Sequence, residues 1–461
     1  MSKVKNAFKI IGIIFIGLIG LIIELYIILN ITFSIQLNNK LAELKAKGRP
    51  MAIAEIVPTL VPDKENAAIL YNKAFELMES EKTSEMVKTI GFANSHSNIS
   101  DWSEKQKVEI PKLVDSRELQ KIYELLGKGS QKLKCNFSRE YGKGVFMELP
   151  TYSNVRNAVR LFCAKALLEA ESGKAEKAFD MLLIGLEFSN HLKDEPILIS
   201  QLVRIACDQL LIECVKSISD SKSIPVEKAN LIMSELSAHK DVEPFIKCMD
   251  GERLIYMGWF SEKILQGNMS LKALRAISGI DTLREDPLIA KMFSSLLLNL
   301  YRPIFKKDYT CYLTLISKIQ DNYNIPYYKV AEKIRNNPIE RQIPRYCVLT
   351  RISIPALDVM QEGFAKYQAE IDICKTGLAL RIYRVKNGDY PEKLESLVPD
   401  FLKEVPIDPF SGENLKYYRY ERGFKLYSIG PNMQDDFGTK RTYEKDSPAY
   451  ENYDIVWEFG S

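Results

Sequence analysis

Histidine is scarce in this chain: 461 residues contain only His96, His191 and His239. They lie far apart, so neither a zinc site nor a histidine general base has support, and each is expected in a structural or surface role. The eight cysteines are Cys135, Cys163, Cys207, Cys214, Cys248, Cys311, Cys347 and Cys374, with no C-x-x-C pair among them. That removes zinc ribbons and thioredoxin-like redox sites. Cys207 and Cys214 fall on one face of a helical stretch but ~10 Å apart along its axis, too far to bridge. Most cysteines have apolar neighbours and read as buried free thiols; an even count still leaves cross-links open in an oxidising compartment. No G-x-G-x-x-G, Walker A, G-x-S-x-G or H-E-x-x-H sequence occurs, so the common nucleotide, hydrolase and metalloprotease signatures are missing. Net charge is only +3, which gives no general attraction to nucleic acid.

What is present is ordinary globular material, 46% hydrophobic and 27% charged, long enough for two or three cored domains. One segment departs from it. From Ile10 to Phe33 the chain reads IIGIIFIGLIGLIIELYIILNITF, a helix of ~36 Å that can cross a hydrocarbon core of ~30 Å. A cleavable signal has an apolar region about half as long and ends in small residues, whereas this run meets Asn30, Thr32 and Asn38. An uncleaved anchor over residues 10–35 is expected, making the chain a single-pass protein of the bacterial inner membrane. Lys3, Lys5 and Lys9 precede it and favour a cytoplasmic head, residues 1–9. Lys40, Lys45, Lys47 and Arg49 follow and blur that rule, yet a large body after a short head still favours the body outside the cytoplasm. Glu24 is costly in mid-span. The stretch Gly20-Leu21-Ile22-Ile23-Glu24 puts that acid one position short of a prepilin processing signal, and inside the apolar run.

Residues 36–62, with Pro50, Pro58 and Pro62, read as a stalk. Residues 63–344 read as a helical body, its first helix capped by Asp63. Ser80 to Lys107 is polar and reads as a mobile loop with short helices. Asn154 to Ser219 carries three amphipathic runs, and the turn around Gly173 resembles a tetratricopeptide hairpin, so a TPR-like array is expected. Helical periodicity continues to Arg335. The acids Glu169 and Glu171 do not converge on a helix, and Asp194-Glu195 before Pro196 reads as a cap. The methionine and apolar stripes read as packing faces.

After the proline-rich stretch Asn336–Pro344 the texture changes. Ala356, Met360, Phe364, Tyr367, Ile371, Cys374, Leu378 and Ile382 mark one long helix ending at Asn387-Gly388. Lys416–Tyr420 and Phe424–Ser428 form a hairpin pattern, and Asp454-Ile-Val-Trp-Glu-Phe a last strand. Residues 355–461 therefore read as an α+β unit that folds alone. The stretches Leu378-Ala-Leu-Arg-Ile-Tyr-Arg-Val-Lys-Asn-Gly-Asp-Tyr-Pro, Val405-Pro-Ile-Asp-Pro-Phe-Ser-Gly, Leu426-Tyr-Ser-Ile-Gly-Pro-Asn and Asp454-Ile-Val-Trp stand in the order found in the major pseudopilin of type II secretion, general secretion pathway protein G. This unit resembles that family's C-terminal domain, over less than a quarter of the chain. The resemblance implies a calcium site in the last loop, at Asn432, Asp435, Asp436 and Asp454, with hard oxygen ligands. Asn432 stands where the family has Asp, and Met433 where it has Gly. In pseudopilins the anchor runs straight into the long helix; here some 320 residues intervene, which argues against filament formation.

The expected fold is thus mainly α: a transmembrane helix, a TPR-like body and a small pseudopilin-like α+β domain. The expected function is a non-enzymatic, membrane-anchored extracytoplasmic scaffold that contacts the lipid bilayer and a protein partner. The alternatives are an accessory component of a type II secretion-like system and, third, an enzyme with an unrecognised site.

Overall fold

The computed structural model describes residues 2–93, 99–149, 152–221, 223–266, 288–442 and 453–460. Its first helix, α1 (Ser2–Ala46), is unbroken for 45 residues, because no proline interrupts it before Pro50. It ends at Gly48, whose φ of 72° suits only a residue without Cβ. It is the one described helix long and apolar enough to cross a membrane. Most large apolar side chains from Ile10 to Ile35 are exposed, Leu29 and Phe33 being half-buried, whereas Leu37 and Leu44 are buried.

The segment read as a stalk is docked on the body. Ile56 is buried, the Arg253 guanidinium donates to the Pro50 carbonyl, and Arg49 stands 3.7 Å from Asp250. The next helices are α2 (Ala67–Glu79), α3 (Ser84–Ala93), α4 (Glu104–Val114) and α5 (Arg117–Ser130). Asn66, not Asp63, caps α2, accepting from the Ala68 amide at 3.1 Å. The polar stretch expected to be a loop with short helices holds α3 and the start of α4, the latter fixed by the Ser103–Gln106 capping box. Its residues 94–98 lie outside the described residues.

Helices α6 (Tyr152–Glu171) and α7 (Ala175–Asn190) form the expected hairpin, with Gly173 at φ 77° in its turn. They are followed by α8 (Leu198–Ser221), α9 (Val226–His239) and α10 (Glu243–Gly251). A π-turn, Glu252–Met257, joins α10 to α11 (Gly258–Leu265). Gly251 is obligatory before it, since a Cβ there would lie 1.7 Å from the Pro196 carbonyl oxygen.

The rest comprises α12 (Leu288–Asn322), α13 (Tyr327–Asn336), α14 (Ile339–Gln342) and α15 (Val348–Asn387). Pro355, expected at the domain boundary, lies inside α15. Strands β1 (Lys416–Arg419), β2 (Phe424–Ser428) and β3 (Ile455–Phe459) make an antiparallel sheet in that order. Helix α15 packs on the sheet with one face and on α8, α9 and α12 with others. One hydrophobic core therefore runs from α2–α9 through α15 to Trp457, and the C-terminal unit shares it with the body.

Three long helices run in the same direction. Tyr26 meets Asn299, Asn30 and Ser34 meet Lys306, and Lys47 meets Asp321, so α1 and α12 are parallel. Asp308 meets Leu349 and Thr350 while the Tyr323 ring lies 5.6 Å from that of Phe364, so α12 and α15 are parallel too.

Candidate functional site

The four residues expected to ligate calcium lie in the segment between β2 and β3, and each takes part in hydrogen bonds there. Asp454 is 2% exposed and accepts from the backbone amides of Gly438, at 2.6 Å, and Asp436, at 3.3 Å. Asn432 donates to Asp436 at 2.7 Å. Asp435 accepts from the Tyr427 hydroxyl and the Phe437 amide, each at 3.0 Å. Burial raises the Asp454 pKa to about 6, against its two amide donors, with the charges of Asp436 and Asp435 adding to the rise. Among the described residues no group of three His, Cys, Asp or Glu is placed to hold a metal ion.

A better-formed recess lies at the seam between body and C-terminal unit, a cleft of ≈ 670 Å³. The chain leaving α12 supplies Tyr323 and, past Pro326, Tyr327 and Tyr328, because Pro326 ends the turn and starts α13. Helix α15 contributes Phe364 and Gln361, and the turn-rich segment before β1 contributes Ile407. The aromatic floor is anchored from behind: Phe245 packs at 4.2 Å, centroid to centroid, against Phe364 and stacks at 6.4 Å with Tyr323. Tyr327 is fixed by its hydroxyl, 3.1 Å from Glu362. Gly412, at φ 75°, lets the backbone reach the Tyr328 ring, where a Cβ would come within 2.7 Å. Gln361 is 4% exposed, and its side-chain oxygen has no hydrogen-bond partner among the described residues. Ile325 and Ile407 remain 42% and 51% exposed at the rim. Lys240, Asp241, Asn324 and Gln368 complete the wall, so the recess mixes aromatic and polar surface and suits an extended segment that carries both apolar side chains and hydrogen-bonding groups.

Behind this floor is a sealed polar cluster. Asp208 and His239 are wholly buried and 2.7 Å apart, and Ser189 and Tyr367 both donate to Asp208. Burial lowers the His239 pKa, but the Asp208 carboxylate more than reverses this and holds it above the ordinary value. The residue types are those of a hydrolytic triad, yet Ser189 is bonded to the acid and not to the imidazole. No nucleophile–base pair results. Arg204, also buried, places its guanidinium 5.4 Å over the Phe245 ring. His191 bridges the Tyr71 hydroxyl and the Lys132 carbonyl, each at 2.7 Å, a structural role as expected. His96 lies outside the described residues. All eight cysteines are free, and every one but Cys311 is buried.

A second polar cluster surrounds the π-turn. Arg139 forms a buried ion pair with Glu195, itself hydrogen-bonded to Ser200, which meets the Tyr152 hydroxyl at 2.8 Å. The nearby Glu252 carboxyl receives the Leu198 amide at 3.1 Å, and burial lifts its pKa to about 7. Glu195, expected to cap α8, is instead the partner of Arg139.

The sequence pattern points to the acidic loop and not to the cleft, although the run Asn322-Tyr-Asn-Ile-Pro-Tyr-Tyr is a visible concentration of aromatic and turn residues. No family model matches the chain, and neither a curated protein nor a solved structure matches it. A long helix on a three-stranded antiparallel sheet is present, but such an arrangement alone identifies no function.

Proposed function

We propose that this chain is a membrane-anchored, non-enzymatic binding protein. In this reading α1 crosses a bacterial cytoplasmic membrane with residues 1–9 inside, the body stands outside, and the tyrosine-lined cleft receives an extended segment of another protein. The observation that carries it is the change of environment along α1: most large apolar side chains are exposed as far as Ile35, then Leu37 and Leu44 enter the protein core. A soluble fold does not leave so long an apolar surface uncovered. The rigid aromatic floor and exposed isoleucine rim of the cleft support the binding part, since tyrosines offer contact area at small entropic cost.

Two measurements test it. Full-length protein should stay with membranes through alkaline extraction, while a chain beginning at Leu37 should be released; equal release overturns the anchor. A photo-crosslinking residue at Ile407 should give a discrete protein adduct in cells, and one at Leu133, 98% exposed elsewhere, should not. No adduct at Ile407, or the same adduct from both positions, overturns the binding role.

A further inference from the structure

We propose that α12 enters the bilayer beside α1 from the side of the body, so that the protein holds the bilayer through a helix pair whose second member dips in without crossing. This rests on the reading of α1 as a membrane span. A hydrocarbon core of ~30 Å takes about 20 residues of helix, so a span entered at Ile10, just after Lys9, leaves the core near Asn30. The contacts of α12 begin below that level. The Tyr26 hydroxyl, one turn deeper than Asn30, donates to the Asn299 carbonyl at 2.9 Å.

That bond has a specific cause. In a helix the Asn299 carbonyl would accept from the amide four residues on, and that residue is Pro303, inside α12, which has no N–H. In hydrocarbon both a phenol and a carbonyl without that amide are costly. Each here answers the other.

The charges of α12 then sit where headgroups begin. Lys306 donates to Asn30 Oδ1 and Ser34 Oγ, both at 2.7 Å. Lys307 donates to Gln36 at 2.9 Å and lies 5.7 Å over the Phe33 ring. On the membrane side of Lys306, Leu300 and Ile304 are left 53% and 39% exposed by the rest of the described residues. At the same levels of α1, between its contacts with Asn299 and Lys306, Ile27 and Ile28 are exposed as well. Because the two helices are parallel, the backbone ahead of Asn299 runs further inward, reaching Leu288 after ~16 Å. Between Leu288 and Tyr301 the only charged residue is Lys291, ~12 Å further in than Asn299, where an ammonium is costly unless it is neutralised or paired. The occupant of this face is lipid acyl chain.

The test uses full-length protein in phosphatidylcholine vesicles with or without bromine in mid-chain, and compares three substitutions by tryptophan-quenching difference. Phe15→Trp reports the span, Leu300→Trp reports α12, and Leu133→Trp reports the exposed body. The added tryptophan at 300 should be quenched like that at 15, and the one at 133 should not. Quenching at 15 with none at 300 overturns the helix pair and leaves the anchor intact. Quenching at neither overturns the anchor itself. Should Leu300→Trp disturb packing, Ile304→Trp offers the same readout one turn higher, with weaker quenching expected; none at either position, with 15 quenched, also overturns the pair.

Discussion

A methyl group at Gly377 would lie 2.1 Å from the ring carbons of Trp457, so the β3 indole rests directly on the backbone of α15. Trp457 is tied from the other side, its indole N–H donating to Asp220 at 3.0 Å. In an exposed helix interior Gly→Ala stabilises by about 1 kcal/mol. Here overpacking reverses the sign, and Gly377→Ala should destabilise by about 1–3 kcal/mol. Chemical unfolding followed by Trp fluorescence reads this; a stabilised variant would show that β3 is not seated on α15.

Tyr26→Phe removes the donor to the Asn299 carbonyl and should cost about 1–3 kcal/mol. Pro303→Ala returns an amide at the position that would bond it. The two changes are therefore coupled, and Tyr26→Phe should cost less in the Pro303→Ala background. Thermal unfolding of all four proteins in one detergent gives the cycle. Strict additivity would mean that the hydroxyl and the missing amide are unrelated.

Glu252 gives a pH signature. Its folded pKa of about 7 lies above the ordinary 4.5, so the folded state binds its proton more tightly than the unfolded chain. Stability from this group is complete in acid and is lost as pH rises from 4.5 to 7. Keeping the carboxylate ionised above that range costs about 3 kcal/mol. Glu252→Gln should therefore flatten this part of the stability profile and exceed the parent above pH 7. Parallel profiles for the two proteins would rule out a buried, protonated Glu252.

The acidic loop separates two outcomes in a single melt. Asp454, Asp435 and Asp436 already accept hydrogen bonds, which hold the loop together without a cation. Melting temperatures in millimolar calcium and in chelator should agree, while Asp454→Ala, which strips two backbone amides of their acceptor, should lower both. A rise with calcium that Asp454→Ala abolishes would instead establish the cation site that the resemblance implies.

Local pattern made some of this architecture legible. The apolar run of α1, the α6–α7 hairpin around Gly173, the heptad-like spacing of α15 and the β1–β2 hairpin all follow from periodicity and turn residues. Pairings between distant segments did not. Nothing near Tyr26 announces Asn299, and the polar stretch before α4 hides α3 because one buried face, Val87 and Ile90, is enough to hold a short helix. Pro355 marks no boundary: it lies in the third turn of α15, where a proline costs a hydrogen bond, and the packing of α15 on the body outweighs that cost. The candidate cleft was equally out of reach, since Tyr323, Phe364 and Ile407 come from three separate segments.

Continuous α1, with α12 running alongside, also fixes a height. From Asn299, beside Tyr26, to Tyr323 at the cleft is ~36 Å of helix, with Lys47 and Arg49 near Asp321 locking the two helices together at the far end. A flexible tether would let the cleft sweep a membrane surface; under the proposed anchoring this strut holds it at one standoff. A segment bound there would, on the same proposal, have to rise about as far from the bilayer, and lengthening α1 alone by a turn would set it against α12 instead of raising the cleft.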